Sequence, residues 1–232
     1  MATEQYRSGS FYGRRKGHPL RGHQARLMEE TLPRLRVAPG PVTDVNSLFA
    51  GKVREVWLEI GFGGGEHLLH QMQRNPEVGF IGCEPFINGM AKLLAGDPDP
   101  SRLALHDADA AELLPRLPAA SISRAFILYP DPWPKRRQRK RRIISPANVA
   151  SLARALKPGA EFRFATDIDD YAAWTLARVL ASGYFDWPAE KADDWRLPWP
   201  DWRTTRYEQK AFREGRAPSY LTFIRNAAPV AE

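Results

Sequence analysis

The stretch that decides the fold is residues 53–66, VREVWLEIGFGGGE. Its first part is rich in apolar and aromatic residues and has the length of a buried strand, and residues 61–65 contain four glycines. Glycine lets a backbone turn tightly and approach a ligand closely because it has no Cβ atom. A helical pattern, residues 63–75, follows directly. The stretch therefore predicts a strand, a glycine-rich turn and a helix, the opening unit of an α/β sheet.

The alternation of apolar strand and amphipathic helix continues along the chain. Strands are predicted at residues 53–62, 78–85, 102–108, 123–131, 161–167 and 219–225, and helices at residues 63–75, 88–96, 110–117, 145–159 and 170–183. This order is typical of a doubly wound, parallel sheet with helices on both faces. Ligands bind to such sheets beyond the carboxyl ends of the strands, so we expect the functional residues there.

Two regions flank this pattern. Residues 1–50 are predicted to form a basic arm and a short helix (Gln24 to Leu35), and residues 51–232 to form the α/β domain. The first 22 residues are too polar to fold alone, and they fit either an arm that wraps RNA or a solvated tail. Residues 185–203 contain four tryptophans, which fit a lid over the substrate or, as we favour, packing against the sheet.

Composition limits the classes of partner and compartment. The 232 residues carry 34 Lys and Arg against 27 Asp and Glu, a net charge of +7, which favours nucleic acid as a partner. Cys83 is the one cysteine, so an internal disulfide is excluded, and its apolar neighbours predict a buried thiol. The sequence contains no membrane span and no signal peptide, so we expect a cytoplasmic protein, either a monomer or a homodimer.

The glycine-rich turn favours a cationic ligand over a dinucleotide. The dinucleotide fingerprint requires a third glycine where this chain has Glu66, and a carboxylate there would repel a pyrophosphate. S-adenosylmethionine has no phosphate and carries a sulfonium and an amino group, so acidic neighbours suit it better. We therefore expect Gly61 and Gly63 to line an adenosylmethionine site.

Acidic residues at the ends of the next two strands extend this site. Glu84 follows the second strand at the spacing expected for a carboxylate that accepts the ribose hydroxyls, and Phe86 with Ile87 could enclose the adenine. Asp109 opens the helix after the third strand and could read the adenine edge. Asp107 competes for that role, and either aspartate could serve only as a helix cap.

A proline-rich turn with a basic continuation follows the fourth strand. In residues 129–135, YPDPWPK, three prolines restrict the backbone and hold Asp131 and Trp133 in a rigid turn. Seven of the eight residues 135–142 are basic. Such a run favours phosphate contacts, which would make RNA binding depend on salt, over a merely solvated loop.

Four segments together resemble the bacterial tRNA (guanine-N7)-methyltransferase family. They are EIGFGGGE at residues 59–66, YPDPWPKRRQRKRRI at 129–143, ATDIDDYAAW at 165–174 and TRYEQKAFREG at 205–215. The resemblance extends from about residue 11 to 225, and the PDPWPK segment is its most specific part. It implies a Rossmann-like class I methyltransferase fold with a seven-stranded, mostly parallel sheet. It also implies adenosylmethionine as cofactor, and the guanine at position 46 of the tRNA variable loop as substrate.

The resemblance also assigns residues. The implied cofactor-binding residues are Glu59, Glu84, Asp109 and Asp131, and the implied substrate-binding residues are Lys135, Asp167, Thr205, Arg206, Tyr207 and Glu208. Asp131 is also the implied catalytic residue, and no metal is expected. The family aspartate after the third strand could be Asp107 or Asp109, and we choose Asp109 because the helix then opens as the family pattern does.

The chemistry of guanine N7 suits these residues. N7 carries a free lone pair and needs no general base, so the enzyme's main task is to align the reacting atoms. Asp131 would stabilise the cationic product ring, Asp167 or Glu208 could accept from the guanine N–H groups, and Lys135 could donate to O6 or a phosphate. The alternatives are methylation of an exocyclic amine in nucleic acid and an RNA-binding protein without catalysis.

Overall fold

The computed structural model describes residues 12–230, and their strands form a single sheet. The strands are β1 (Glu55–Ile60), β2 (Val78–Cys83), β3 (Leu103–His106), β4 (Ile122–Leu128), β5 (Leu156–Thr166), β6 (Phe185–Asp186) and β7 (Ser219–Arg225). Their order across the sheet is β3-β2-β1-β4-β5-β7-β6. Strands β1 to β5 are parallel, and β7 is antiparallel to both β5 and β6. The seven-stranded, mostly parallel sheet is confirmed.

Helices cover both faces of this sheet. They are α1 (Gly22–Glu30), α2 (Leu32–Leu35), α3 (Glu66–Arg74), α4 (Ile87–Ala95), α5 (Ala110–Leu113), α6 (Pro146–Ala155), α7 (Asp169–Ala181), α8 (Asp193–Arg196) and α9 (Arg206–Arg213). Alternate residues of β1 enter two hydrophobic clusters, since side chains of a strand point to opposite faces. Leu58 belongs to the cluster with α5, α6 and α7, and Trp57 to the cluster with α2, α3 and α4. Within residues 12–230, no helix has the length and apolar character needed to cross a membrane.

The strand order reverses at β1. Strands β2 and β3 lie on one side of β1, and β4, β5 and the remaining strands lie on the other. A crevice opens at such a switch point beyond the carboxyl ends of the two central strands. The glycine turn after β1 and the proline turn after β4 both end there, so the topology brings together segments about 65 residues apart.

Two predicted elements end earlier in the structure than the sequence predicts. The helix predicted to stop at Gly159 ends at Ala155, and the residues up to the glycine already belong to β5. The reason is Pro158, which lacks the N–H that a helix needs and disfavours helical torsions at the residue before it. The strand predicted to reach Asp131 ends at Leu128, because Tyr129 has a φ of +49°. Helices α8 and α9 and strand β6 lie in segments for which no element was predicted.

The N-terminal region packs on the domain both before and within its helices, since the Arg15 carbonyl accepts from the Ile87 N–H at 2.9 Å and the Gly17 N–H donates to Asn88 Oδ1 at 2.7 Å. The helix predicted from Gln24 to Leu35 is two helices, interrupted at Thr31, because Pro33 cannot donate the next helical hydrogen bond. Leu32 and Leu35 are buried in the same cluster as α3 and α4. The first half of the predicted basic arm, residues 1–11, lies outside the described residues, and the domain boundary at residue 50 stays a prediction.

Candidate active site

The glycine turn is a tight loop fixed from two sides. Gly61, Gly63 and Gly65 have φ values of +74°, +56° and +79°, which favour glycine. The Gly61 N–H donates to the carbonyl of Cys83 at the end of β2, at 2.7 Å. A Cβ atom on Gly89 of α4 would lie 2.3 Å from the Gly63 carbonyl oxygen. Strand β2 and helix α4 therefore hold the turn in place, and both contacts depend on glycine.

Glu84 joins this turn to the end of β2. Its Oε2 accepts from the Gly63 N–H at 2.7 Å, and its Oε1 accepts from the Phe86 N–H at 2.8 Å. The side chain is buried. Burial raises the pKa of Glu84, the two N–H donors oppose that rise, and the nearby charge of Asp131 adds to it. The carboxylate is thus fixed in orientation, and each of its oxygens keeps a second lone pair for a ligand.

Glu59, the second predicted carboxylate, is also buried and has a partner that sequence reasoning missed. Its Oε2 lies 2.8 Å from His67 Nδ1, in the first turn of α3. Both side chains are less than 5% exposed. A histidine on an amphipathic helix carries no sequence signal for such a contact, because the pairing depends on how α3 packs over β1.

The two aspartates after β3 have different partners. Asp107 receives two hydrogen bonds from the Arg36 guanidinium, at 3.0 and 2.8 Å, so both of its oxygens are engaged. Asp109 accepts from the Ala111 N–H at 3.0 Å and caps α5. Its second oxygen has no partner within the described part of the chain. This difference supports Asp109 as the cofactor residue, and that role stays a prediction.

The proline turn carries Asp131 between two residues with left-handed torsions. Tyr129 and Trp133 have φ values of +49° and +41°. The Tyr129 N–H donates to the Ala165 carbonyl at the end of β5, at 2.8 Å. The buried Arg142 donates through Nε to the Pro132 carbonyl, also at 2.8 Å. The surrounding protein raises the pKa of Asp131 by partial desolvation, although its side chain still reaches solvent.

The basic run divides into two groups. Residues 136–141 form a 3₁₀ helix. Four cations are exposed and form no ion pair within residues 12–230: Lys135, Arg136, Arg137 and Lys140. The other three turn inward: Arg139, Arg141 and Arg142. The prediction of a phosphate-binding surface was therefore wrong for Arg142, whose side chain has no exposed area because it is buried beside Asp170.

The inward cations connect the proline turn to its neighbours. Arg139 and Arg142 donate to the two carboxylate oxygens of Asp170 on α7, at 2.7 and 2.5 Å. The Arg141 guanidinium lies 4.8 Å from the Tyr12 ring and 4.9 Å from the Trp133 ring. At Tyr12 the N-terminal arm therefore reaches the same turn that holds the catalytic candidate.

Three of the predicted substrate residues are exposed, Arg206 and Tyr207 at the glycine turn and Lys135 at the proline turn. A Cβ atom on Gly63 would lie 3.4 Å from both the Arg206 guanidinium and the Tyr207 ring, so the start of α9 faces the glycine turn. Lys135 is exposed at the end of the proline turn. Asp167 is mostly buried and pairs with Arg216 at 2.6 Å.

Thr205 and Glu208 point into the protein. Thr205 caps α9 by accepting from the Glu208 N–H at 3.3 Å. The Glu208 carboxylate accepts from Trp202 Nε1 at 2.9 Å, from the Tyr129 hydroxyl at 3.3 Å and from the Tyr220 hydroxyl. Glu208 is 1% exposed. It therefore joins the proline turn, the tryptophan segment and β7, and a direct contact to guanine stays a prediction.

The tryptophan segment packs against the sheet, as we favoured. Trp187 and Trp195 pack on the cluster with α5 to α7, and Trp199 and Trp202 pack on the cluster with α2 to α4. Cys83 is buried, and burial raises the pKa of its thiol well above its usual value, as a structural cysteine requires.

The acidic residues around the two turns suit adenosylmethionine as a ligand. Carboxylates lie at the carboxyl ends of β1, β2 and β4, and at the start of α5: Glu59, Glu84, Asp131 and Asp109. Lys92 is bound to Glu66, so this cation is neutralised at the start of α3. Such a surface suits a cationic nucleoside and opposes a pyrophosphate.

Solved structures share this fold. An antibiotic-related methyltransferase superposes with a TM-score of 0.52 at 16% identity, covering 75% of this chain and 89% of the other. The 16S rRNA methyltransferase KamB superposes with a TM-score of 0.50 at 17% identity, covering 76% and 90%. At this identity the likeness shows the Rossmann-like class I methyltransferase fold and nothing about the substrate.

Sequence relatives are much closer. The family described as "Putative methyltransferase" matches residues 53–220. The tRNA (guanine-N(7)-)-methyltransferase of Brucella anthropi is 56% identical over 223 residues, covering 94% of this chain and 95% of the relative. The protein of the same name from Ruegeria pomeroyi is 54% identical over 232 residues, covering 93% and 94%. With this identity over nearly its whole length, the chain belongs to the family of tRNA (guanine-N(7)-)-methyltransferases.

Proposed function

We propose that this protein is an adenosylmethionine-dependent methyltransferase that forms 7-methylguanosine in tRNA, at the guanine in position 46 of the variable loop. The observation that carries the proposal is the position of Asp131. Its carboxylate is held in the proline turn at the switch point of the sheet, beside the glycine turn and directly before a group of exposed cations.

Each proposed cofactor residue binds a different part of adenosylmethionine. Glu84 accepts the ribose hydroxyls with the lone pairs that Gly63 and Phe86 leave free. Asp109 would read the adenine edge, and Phe86 would enclose the base. Glu59, at the end of the central strand, remains for the cationic amino group. When bound, adenosylmethionine supplies a methyl group on a cationic sulfur.

The chain's own contribution to the reaction is alignment and electrostatics. Guanine N7 attacks with a lone pair that is free at neutral pH, so no side chain has to remove a proton first. Holding two reactants in line supplies about 7–11 kcal/mol of the barrier reduction. The methylated ring is cationic, and the Asp131 carboxylate stabilises that charge as it develops. Arg142 keeps the turn in position through the Pro132 carbonyl.

The substrate base is held by the residues around this turn. Lys135 donates to guanine O6 or to a phosphate, and Asp167 accepts from the guanine N–H groups with the oxygen that Arg216 does not bind. Arg206 and Tyr207 border the base from the start of α9. Thr205 and Glu208 act by holding α9 and the proline turn together, because their side chains are buried.

Binding of tRNA rests on the exposed cations after the turn. Lys135, Arg136, Arg137 and Lys140 form one positive surface next to Asp131. Phosphate contacts from such a surface position the RNA without reading its sequence. Tyr12 contacts Arg141, an inward residue of the same 3₁₀ helix, so the N-terminal arm lies beside this surface, where it can contact bound RNA.

The test is methylation of an unmodified tRNA transcript, followed by nuclease digestion and mass spectrometry of the nucleosides. We expect 7-methylguanosine, and a transcript with adenosine at position 46 should accept no methyl group. N-methylated adenosine or guanosine would overturn the proposal in favour of an exocyclic-amine methyltransferase. Calorimetry that detects no binding of S-adenosylhomocysteine would indicate an RNA-binding protein without catalysis.

A further inference from the structure

A chain of polar groups, three of them buried and the last partly exposed, leads away from the candidate cofactor site along one face of α3. Glu59 is followed by His67, Gln71 and Asp201, each in contact with the next. The four come from β1, from two successive turns of α3 and from the tryptophan segment. The proposed function assigns no role to the middle two.

The hydrogen bonds determine how the Gln71 amide is oriented. Its Oε1 accepts from Asn75 Nδ2 at 3.1 Å, and its Nε2 lies 3.3 and 3.4 Å from the carbonyl oxygen and Oδ2 of Asp201. Rotating the amide by half a turn would place two N–H₂ groups together at Asn75 and three oxygens together at Asp201. Arg163 holds Asp201 in place at 2.7 Å. The amide nitrogen therefore faces His67.

This orientation fixes the tautomer of His67. Its Nε2 lies 3.3 Å from the Gln71 amide nitrogen, which is a donor, so Nε2 has to accept. The ring proton then resides on Nδ1, which donates to Glu59 Oε2 at 2.8 Å. The contact is a hydrogen bond from a neutral imidazole, since a doubly protonated ring would oppose two donors at Nε2.

The ring is also fixed by packing. His67 is 3% exposed, and its ring centroid lies 4.8 Å from that of Phe126 and 5.3 Å from that of Trp202. A neutral donor orients the Glu59 carboxyl group without placing a positive charge beside it. Glu59 therefore has a defined orientation, and within residues 12–230 no Lys or Arg pairs with it, which leaves it available to a cationic ammonium group.

We infer that His67 is a positioning residue for adenosylmethionine: held as the Nδ1–H tautomer by Gln71, it orients the Glu59 carboxylate toward the cofactor's amino group. The inference rests on the proposed function, in which Glu59 binds that group. It adds a residue that does not touch the cofactor and acts only through Glu59.

The test compares two ligands and two isosteric variants. S-adenosylhomocysteine carries the amino group, whereas 5′-methylthioadenosine lacks the whole amino-acid part. Asparagine keeps a side-chain nitrogen near the position of Nδ1, and leucine has the same shape without a donor. For His67→Leu we expect calorimetry to show adenosylhomocysteine binding weakened about tenfold or more and methylthioadenosine binding unchanged. His67→Asn should retain most of the affinity for both ligands.

A Glu59→Gln variant tests the cofactor role of Glu59 separately from the positioning role of His67. If it weakens adenosylhomocysteine relative to methylthioadenosine and His67→Leu does not, the inference is overturned and the proposed cofactor role of Glu59 stands. If Glu59→Gln leaves the ratio unchanged, that cofactor role fails, and the inference fails with it. Ring ¹⁵N NMR of the wild-type protein should show a protonated Nδ1 and an unprotonated Nε2 for His67, and the opposite tautomer would overturn the inference.

Discussion

The Gly63 N–H donates to Glu84 Oε2 at 2.7 Å, so the turn after β1 and the carboxylate after β2 form one unit. The Phe86 N–H binds the other oxygen at 2.8 Å. These two bonds orient the carboxylate through backbone groups, which substitution of neighbouring side chains cannot remove. The ribose acceptor of the proposed site is therefore built into the connection between two strands.

Replacing Glu84 with glutamine should weaken cofactor binding. One carboxylate oxygen becomes an N–H₂ group that faces a backbone donor, so one hydrogen bond is lost and two donors are left opposed. We expect S-adenosylhomocysteine binding to weaken about 10- to 100-fold in calorimetry. Glu112→Gln, which removes an exposed carboxylate of α5, is the matched control and should bind normally. Equal affinity of the Glu84 variant and the control would rule out the ribose role.

Cofactor affinity should also depend on pH. Burial raises the pKa of Glu84, so this carboxylate takes up its proton at a higher pH than an ordinary glutamate, whose pKa is about 4.3. The ionised form is the acceptor and exists above the pKa. Affinity for S-adenosylhomocysteine should therefore be level near pH 8 and fall as the pH drops, beginning above the range in which an ordinary glutamate takes up its proton. The Glu84→Gln variant should lose this dependence on pH, and a level wild-type profile would contradict the assignment.

The two groups of cations in the basic run should respond differently to substitution. Replacing Arg136, Arg137 and Lys140 with glutamine removes exposed charges, so tRNA binding should weaken and its log–log salt slope should flatten by about one unit for each phosphate that the variant no longer neutralises. Arg142→Met removes a buried partner of Asp170 and Pro132, so it should lower the melting temperature. Calorimetry, salt titration and thermal melts separate the two effects. An unchanged salt slope in the triple variant would show that these side chains do not bind phosphate.

The Asp131→Asn variant should turn over much more slowly than the wild type but fold normally. Losing the charge should lower turnover by about 10²-fold or more, while tRNA binding changes little and raising the pH does not restore the rate. Because desolvation raises the pKa of Asp131, its charge costs stability at neutral pH, and the amide removes that cost. The melting temperature should therefore equal or exceed that of the wild type at neutral pH, with the difference vanishing below about pH 4. Normal turnover would reduce Asp131 to a structural turn residue.

Local patterns predicted much of the fold and the turns of the site. Strand ends converge at one edge of a parallel sheet, so residues such as Glu84 and Asp131 could be grouped before any contact was known. The contacts that orient them could not be predicted. Asp107 binds Arg36, which is 71 residues away, and His67 reaches Glu59 only because α3 packs over β1. The sequence does not distinguish Arg142 from its exposed basic neighbours, because the burial of its side chain depends on where α7 packs.

The C-terminal elements were missed for a different reason. Strand β6 has two residues, too few to show an alternating pattern of apolar and polar side chains, and it is defined by its pairing with β7. Helix α9 follows a stretch of tryptophans and prolines and begins at Arg206 after its N-cap Thr205. Thr205 and Glu208 have the S/T-x-x-E spacing of a helix start, a sequence signal that the prediction did not use.

Methyl transfer to a tRNA transcript with a single 7-deazaguanosine tests the central claim most directly. Substituting carbon for N7 at position 46 removes the proposed nucleophile and leaves O6, N1 and the exocyclic amine intact. The enzyme should methylate the unmodified transcript and form 7-methylguanosine, whereas the deaza transcript should bind with similar affinity and accept no methyl group. Methylation of both transcripts at the same rate would contradict the account, because the methyl group would then go to another atom or another base.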